Sequence, residues 1–153
     1  MAAVEGAILT ARSRVEVDGW RKALRASCQP LLEAEAIEQR YVQRCIEMVE
    51  DEGPYVVVAP GIALAHARPE DGVKRLCLSV VTLAAPVEFG HSENDPVDLV
   101  FAFGSSDATQ HVSLLRSLAR ALQADLADNL GAADTTEEVE SLIQGIVQDV
   151  KED

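Results

Sequence analysis

The run Leu76-Cys77-Leu78-Ser79-Val80-Val81-Thr82-Leu83 constrains the fold more than any other stretch of this chain. It is rich in β-branched residues and nearly unbroken in apolar character, so as a strand it must be covered on both faces. Val97 to Phe103 is a second near-continuous apolar strand, ended by Gly104-Ser105-Ser106-Asp107. Buried strands of this kind call for flanking helices, and the remaining sequence supplies helical spacing. Tyr41, Cys45, Met48 and Val49 predict a helix from about Glu38 to Glu52, stopped by Gly53-Pro54. Strands interleaved with helices indicate a single α/β domain.

The other elements follow from local signals. Ala7-Ile8-Leu9 and Val15-Glu16-Val17 read as two short apolar pieces, the second alternating as a half-buried strand does. Asp18 offers an N-cap to a helix starting near Trp20, with Trp20, Ala23, Leu24, Ala26 and Cys28 on its buried side. Pro30 removes a backbone donor late in that helix and predicts a kink or an end near Gln29, with Leu31 to Ala34 able to resume the helix. Tyr55 to Ala59 reads as a strand, and Pro86 to Pro96 as a loop or short hairpin arm. Asp107-Ala108-Thr109-Gln110 has capping-box spacing and opens a helix with Leu115, Leu118 and Leu122 on its stripe. Thr135-Thr136-Glu137-Glu138 opens a last helix through Val139, Leu142, Ile143 and Ile146, and the acidic end Asp149 to Asp153 is expected to fray.

Composition narrows the partners. The chain has 153 residues, a formal net charge of -13 from 26 acidic and 13 basic residues, and only 4% aromatics. Phosphate-backbone binding needs clustered Lys and Arg, and base stacking needs an aromatic platform, so nucleic acid is excluded as a partner. Cys28, Cys45 and Cys77 are odd in number, widely spaced and set in apolar or helical patterns, which predicts buried free thiols. With no CxxC, secretory signal or long apolar run, the sequence reads as a cytoplasmic, soluble protein.

Chemistry concentrates in Ala59-Pro60-Gly61-Ile62-Ala63-Leu64-Ala65-His66-Ala67-Arg68-Pro69-Glu70. His66 sits between two alanines, where small neighbours leave the ring approachable. A neutral imidazole, with an ordinary pKa near ~6.5, keeps one lone pair able to attack phosphorus. A lone histidine after an apolar run is also a common hydrogen-bonded structural residue. Arg68 is the one positive charge of the segment, fit to contact an anion or an acidic face, or to be an ordinary solvated arginine. His111 falls at the third or fourth position of the helix opened by Asp107. There the dipole disfavours imidazolium and favours a nearby anion, although the ring could equally top the buried stripe. His91 lies in a loop composition and reads as a surface residue. The histidines are 25 and 20 residues apart, which matches no local metal-ligand motif.

The segment Gly53 to Val58, the stretch through His66-Ala67-Arg68-Pro69-Glu70, then Pro86-Val87-Glu88-Phe89-Gly90-His91 and Asn94-Asp95-Pro96-Val97-Asp98-Leu99-Val100, resembles the enzyme IIA domain of the sugar phosphotransferase system. Within the mannitol/fructose group it is most similar to the ascorbate-type members, from about Leu9 to about Ile146. The resemblance implies a mixed β-sheet flanked by α-helices on both faces. It implies one IIA-like domain over residues 1–153, with a core of about 8–147, and a phosphotransferase working through a covalent phosphohistidine without metal or other cofactor. His66 takes the family position of the phosphorylated nucleophile, with transfer to Nε2, and His111 that of the second histidine, which orients it and stabilises the phosphoryl group. Arg68 is a weaker candidate for contact with phosphate or partner.

The implied partners are the phosphocarrier protein HPr as donor, a IIB component as acceptor and, indirectly, a membrane IIC component; a homodimer is compatible with the family. An acidic surface suits a donor with a basic face, and equally suits plain solubility. Two departures stand out: Ala65 replaces the proline that most relatives carry before the histidine, which loosens the backbone there. Glu47-Met48-Val49-Glu50 also lacks the arginine of mannitol-type members. The same histidine would serve a regulatory phosphoprotein controlling a transporter, kinase or transcription factor, and a metal-dependent hydrolase is a third class.

Overall fold

The computed structural model describes residues 7–148, so the acidic stretch expected to fray lies outside the described residues. Among those residues the chain forms a five-stranded mixed sheet in the order β1-β4-β5-β3-β2. The strands are β1 (Ile8–Val15), β2 (Val57–Ala59), β3 (Ile62–Ala65), β4 (Cys77–Val87) and β5 (Val97–Gly104). The helices are α1 (Trp20–Glu33), α2 (Gln39–Glu52), α3 (Ala108–Gln123), α4 (Leu126–Ala132) and α5 (Thr136–Gln148).

The two apolar runs become neighbouring antiparallel strands at the centre, pairing Leu78 with Phe103 and Val80 with Phe101. Both sheet faces are covered, as such strands require. Cys77, Val81, Val100 and Ala102 meet Leu24, Leu31, Cys45 and Val49 from α1 and α2. Leu78, Val80, Phe101 and Phe103 meet Leu114, Leu118, Leu130 and Ile143 from α3, α4 and α5. The three cysteines are free and buried.

Several local expectations are corrected. The two N-terminal apolar pieces are one edge strand, β1, which ends at Val15 and carries Thr10, Arg12 and Arg14 between its apolar positions. A register shift between Arg12 and Val15 accompanies a left-handed Arg14 (φ 52°), whose N–H donates to Thr82 Oγ1 at 2.8 Å. Gly19 rather than Asp18 caps α1. Asp18 instead pairs with Lys22 at 3.1 Å. Pro30 lies inside α1 without ending it. In the last turn a single missing donor costs little, and the buried Pro30 ring adds to the core.

The strand expected at Tyr55–Ala59 is shorter, and its partner β3 was not foreseen. Pro60-Gly61 turns the chain between them, with Gly61 at φ 75° and too close to Asp98 for a side chain to fit easily. Helix α4 was also missed: Asp125, left-handed at φ 71°, breaks a helical composition that reads as continuous. The loop expected from Pro86 starts later: β4 runs on through Pro86 to Val87, which pairs with Val97 at the start of β5.

Candidate active site

Register brings the site together. β3 runs parallel to β5, with Ala65 opposite Ala102, so the next residues, His66 and Phe103, emerge side by side. The carboxyl ends of parallel strands are where α/β sheets expose ligand sites. Beyond Gly104 the chain turns directly into α3, where Asp107 accepts from the Gln110 N–H at 2.8 Å and so fixes the first helical turn. Gln110 Oε1 accepts from Ser106 N–H at 2.9 Å, one residue before its capping-box partner. His111 is therefore the fourth residue of the helix and faces His66.

The two imidazoles, 45 positions apart, have ring centroids 5.8 Å from each other. Phe103 stacks on His66 at 5.2 Å and 17°, and lies 5.2 Å from His111. The ring of Tyr55 meets His66 edge-on at 6.0 Å. His66 Nδ1 lies 3.1 Å from the Leu64 carbonyl. A carbonyl only accepts, so Nδ1 holds the proton and the lone pair resides on Nε2. Burial pushes His66 below the ordinary imidazole pKa, with nearby His111 adding to the effect and the Leu64 carbonyl opposing it. Burial likewise lowers His111. Both shifts favour the neutral form of the ring.

His66 and His111 open onto a cleft of about 510 Å³, walled by Met48, Ala108 and Val112 and rimmed by Arg68 and Glu70. The N-terminus of the 16-residue helix α3 borders it, placing the positive end of a helix dipole beside any anion held there. Arg68 reaches this rim already engaged. Its Nη2 lies 3.3 Å from Asp71, its Nε 3.3 Å from Glu70, and its backbone N–H donates to Asp71 at 3.0 Å. His91 is elsewhere in role: its Nδ1 accepts from the N–H groups of Glu93 and Asn94 and holds a turn. Among the described residues no group of three or more His, Cys, Asp or Glu is arranged to hold a metal ion. No helix among them is long and apolar enough to cross a membrane.

Residues 9–145 match the family described as "Phosphoenolpyruvate-dependent sugar phosphotransferase system, EIIA 2". The chain belongs to this family.

A similar relative is the "Ascorbate-specific PTS system EIIA component" of Escherichia coli K12, 39% identical over 134 residues that cover 86% of this chain and 87% of the relative. Among solved structures, the mannitol-specific cryptic phosphotransferase enzyme IIA CmtB of Escherichia coli superposes with a TM-score of 0.76 at 26% identity, over 90% of each chain. The IIA–IIB mannitol complex of Escherichia coli gives a TM-score of 0.75 at 21% identity, over 89% of this chain and 94% of that one, and shares the fold. This EIIA chain is thus a phosphotransferase, the phosphoryl-carrying component of a sugar phosphotransferase system. The α/β fold with its mixed sheet and helices on both faces is the one its sequence predicts.

The expectation for Ala65 changes. It is not a loosened position: it is fully buried in β3 and paired with Ala102 in the sheet, so the strand itself holds the backbone there. Leu64, Phe103, Ser105 and Tyr41 were not foreseen at the site. Their contributions are a carbonyl, a ring face and hydroxyls, and the one sequence signal was Tyr41, a tyrosine on a buried stripe whose hydroxyl needs a partner.

Proposed function

We propose that His66 is the phosphoryl carrier, with Nε2 as the attacking atom, and that His111 is its hydrogen-bonding partner. The observation that carries this reading is the bond from His66 Nδ1 to the Leu64 carbonyl at 3.1 Å, which reserves the Nε2 lone pair for phosphorus. As Nε2 forms its bond to phosphorus, the bond between phosphorus and the donor nitrogen breaks and its electron pair returns to the donor. Nδ1 keeps its proton throughout, and the Leu64 carbonyl stabilises the positive charge that develops on the ring. The transition state is loose, so catalysis rests on in-line positioning and on dipoles for the equatorial oxygens. His111 and the N-terminus of α3 supply those dipoles.

Ser105 Oγ lies 3.4 Å from His111 Nδ1; with the hydroxyl donating, His111 presents Nε2–H to the phosphoryl group. Arg68 has its side chain two-thirds exposed despite its carboxylate neighbours, which suits contact with an acidic patch of a partner. The donor in this reading is HPr and the acceptor a cysteine of a IIB component, which feeds a membrane IIC component in the uptake of a sugar of the ascorbate type. The identity to the ascorbate-specific relative supports that substrate, and the mannitol IIA–IIB complex of like fold supports a IIB acceptor. The setting is the cytoplasm, the domain is a single IIA-like unit, and the step calls on no metal or cofactor.

The test is direct. Incubated with phosphoenolpyruvate, enzyme I and HPr, the protein takes up one acid-labile phosphate, and His66→Ala takes up none. Label entering His66→Ala at the normal rate would end this assignment.

A further inference from the structure

Tyr41 lies in the first turn of α2, is 1% exposed and reaches the end of the sheet from the face opposite α3. Its hydroxyl accepts from the Ala67 N–H at 2.9 Å and donates to the Phe103 carbonyl at 2.7 Å. These two backbone groups are not arbitrary. Ala67 directly follows His66, and Phe103 carries the ring stacked on His66 and in contact with His111. β3 has ended at Ala65, so no regular strand pairing continues to Ala67. One phenol thus closes the gap between the nucleophile's loop and the strand beneath it.

We propose that Tyr41 is a positioning residue for phosphoryl transfer, its hydroxyl fixing the backbone on either side of the His66–Phe103 stack so that Nε2 stays aimed into the cleft. This rests on the assignment of His66 as carrier. Three constraints then define the nucleophile: the Leu64 carbonyl sets the tautomer, Phe103 sets the ring plane, and Tyr41 sets the distance between the two chain segments. Burial pushes the phenol pKa well up, so the hydroxyl keeps both its donor and its acceptor roles across the working pH range. Tyr41→Phe deletes the link while conserving the ring that fills the core. It leaves a buried N–H and a buried carbonyl without their partner, which both prefer to regain by moving.

The experiment compares wild type, Tyr41→Phe and Ile46→Val in rapid-quench phosphorylation by HPr, with parallel nitrogen NMR of the imidazoles. Ile46 is a buried residue of the same helix that does not line the cleft, so Ile46→Val reports what lost stability alone does. In Tyr41→Phe the transfer rate at saturating donor falls about 10- to 100-fold, as expected for a reacting group misplaced by a fraction of an ångström to an ångström. The half-saturating donor concentration stays unchanged, and the His66 signals move from a single Nδ1–H tautomer to a mixture. Ile46→Val leaves all three readouts at wild-type values.

A wild-type rate and an unmixed tautomer in folded Tyr41→Phe would overturn the proposal, as would an equal loss of rate in Ile46→Val. If Tyr41→Phe does not fold, difluorotyrosine in place of Tyr41 keeps the shape and alters the hydroxyl's bonding strength; an unchanged rate and tautomer there overturn it too. His66→Ala runs alongside. Label entering that variant would fail the carrier assignment itself, whereas a dead His66→Ala beside a wild-type Tyr41→Phe fails the positioning role alone.

Discussion

His111→Ala separates catalysis from stability more cleanly than any other change at this site. The ring is half-buried, and the hydrogen bond that Ser105 Oγ makes to its Nδ1 is long, at 3.4 Å, so losing it costs little. Helix α3 is anchored elsewhere, by Leu114 and Leu118 in the core and by the Asp107 cap. Alanine has the better helix propensity, by about 0.6 kcal/mol, which offsets part of the lost packing against Phe103, so net stability should move by less than about 1 kcal/mol. Transfer should suffer far more. A preorganised donor aimed at developing oxyanion charge is worth about 3 kcal/mol, or roughly 100-fold in rate.

The assay is single-turnover transfer of labelled phosphate, measured both from HPr to this protein and from the phosphorylated protein to its acceptor, beside a urea titration. His111→Gln, whose amide can donate from a similar distance, should recover part of the loss. Unchanged rates in both directions with an intact fold would refute the partner role. So would a rate loss that follows only the loss of stability.

The pH dependence has a definite sign. Burial lowers both His66 and His111, so the unfolded chain binds protons more readily than the folded one around and below the ordinary imidazole value of about 6.5. Their stabilising contribution is complete above that value and is lost as pH falls through the folded-state values, which urea midpoints measured from pH 8 down to 5 will show. For the same reason the acid limb of phosphoryl acceptance should lie below about pH 6.5, and a limb above it would contradict neutral, buried rings. Asp107→Ala removes the acceptor of the Gln110 N–H and should cost about 1 kcal/mol, read as a lower urea midpoint. It should also slow transfer modestly by loosening the turn that carries His111, and an unchanged midpoint would show that the cap is dispensable.

The core strands were legible because β-branched apolar runs covered on both faces have few other solutions. The start of α3 was legible because a capping aspartate followed by glutamine is local chemistry. Strand β3 was not: Ile62-Ala63-Leu64-Ala65 has little β-branched content, and it becomes a strand because β5 lies alongside to pair with it. Pro30 misled for the opposite reason, since tertiary packing holds the last turn of α1 against the local preference of a proline. Asp18 misled because an exposed lysine four residues on competes for its carboxylate.

The sequence by itself determined the chemical vocabulary of this protein: two buried strands, a helix cap, and the histidine-bearing motifs whose resemblance pointed to the enzyme IIA family. Tertiary structure alone decided that two imidazoles 45 positions apart stand 5.8 Å apart, and which nitrogen of His66 is free. It also decided that the Tyr41 hydroxyl spans Ala67 and Phe103. The physical reason is that side-chain patterning is written in local periodicity. Strand register, backbone carbonyls and ring faces carry no residue-type signature, and they meet only when parallel strands align.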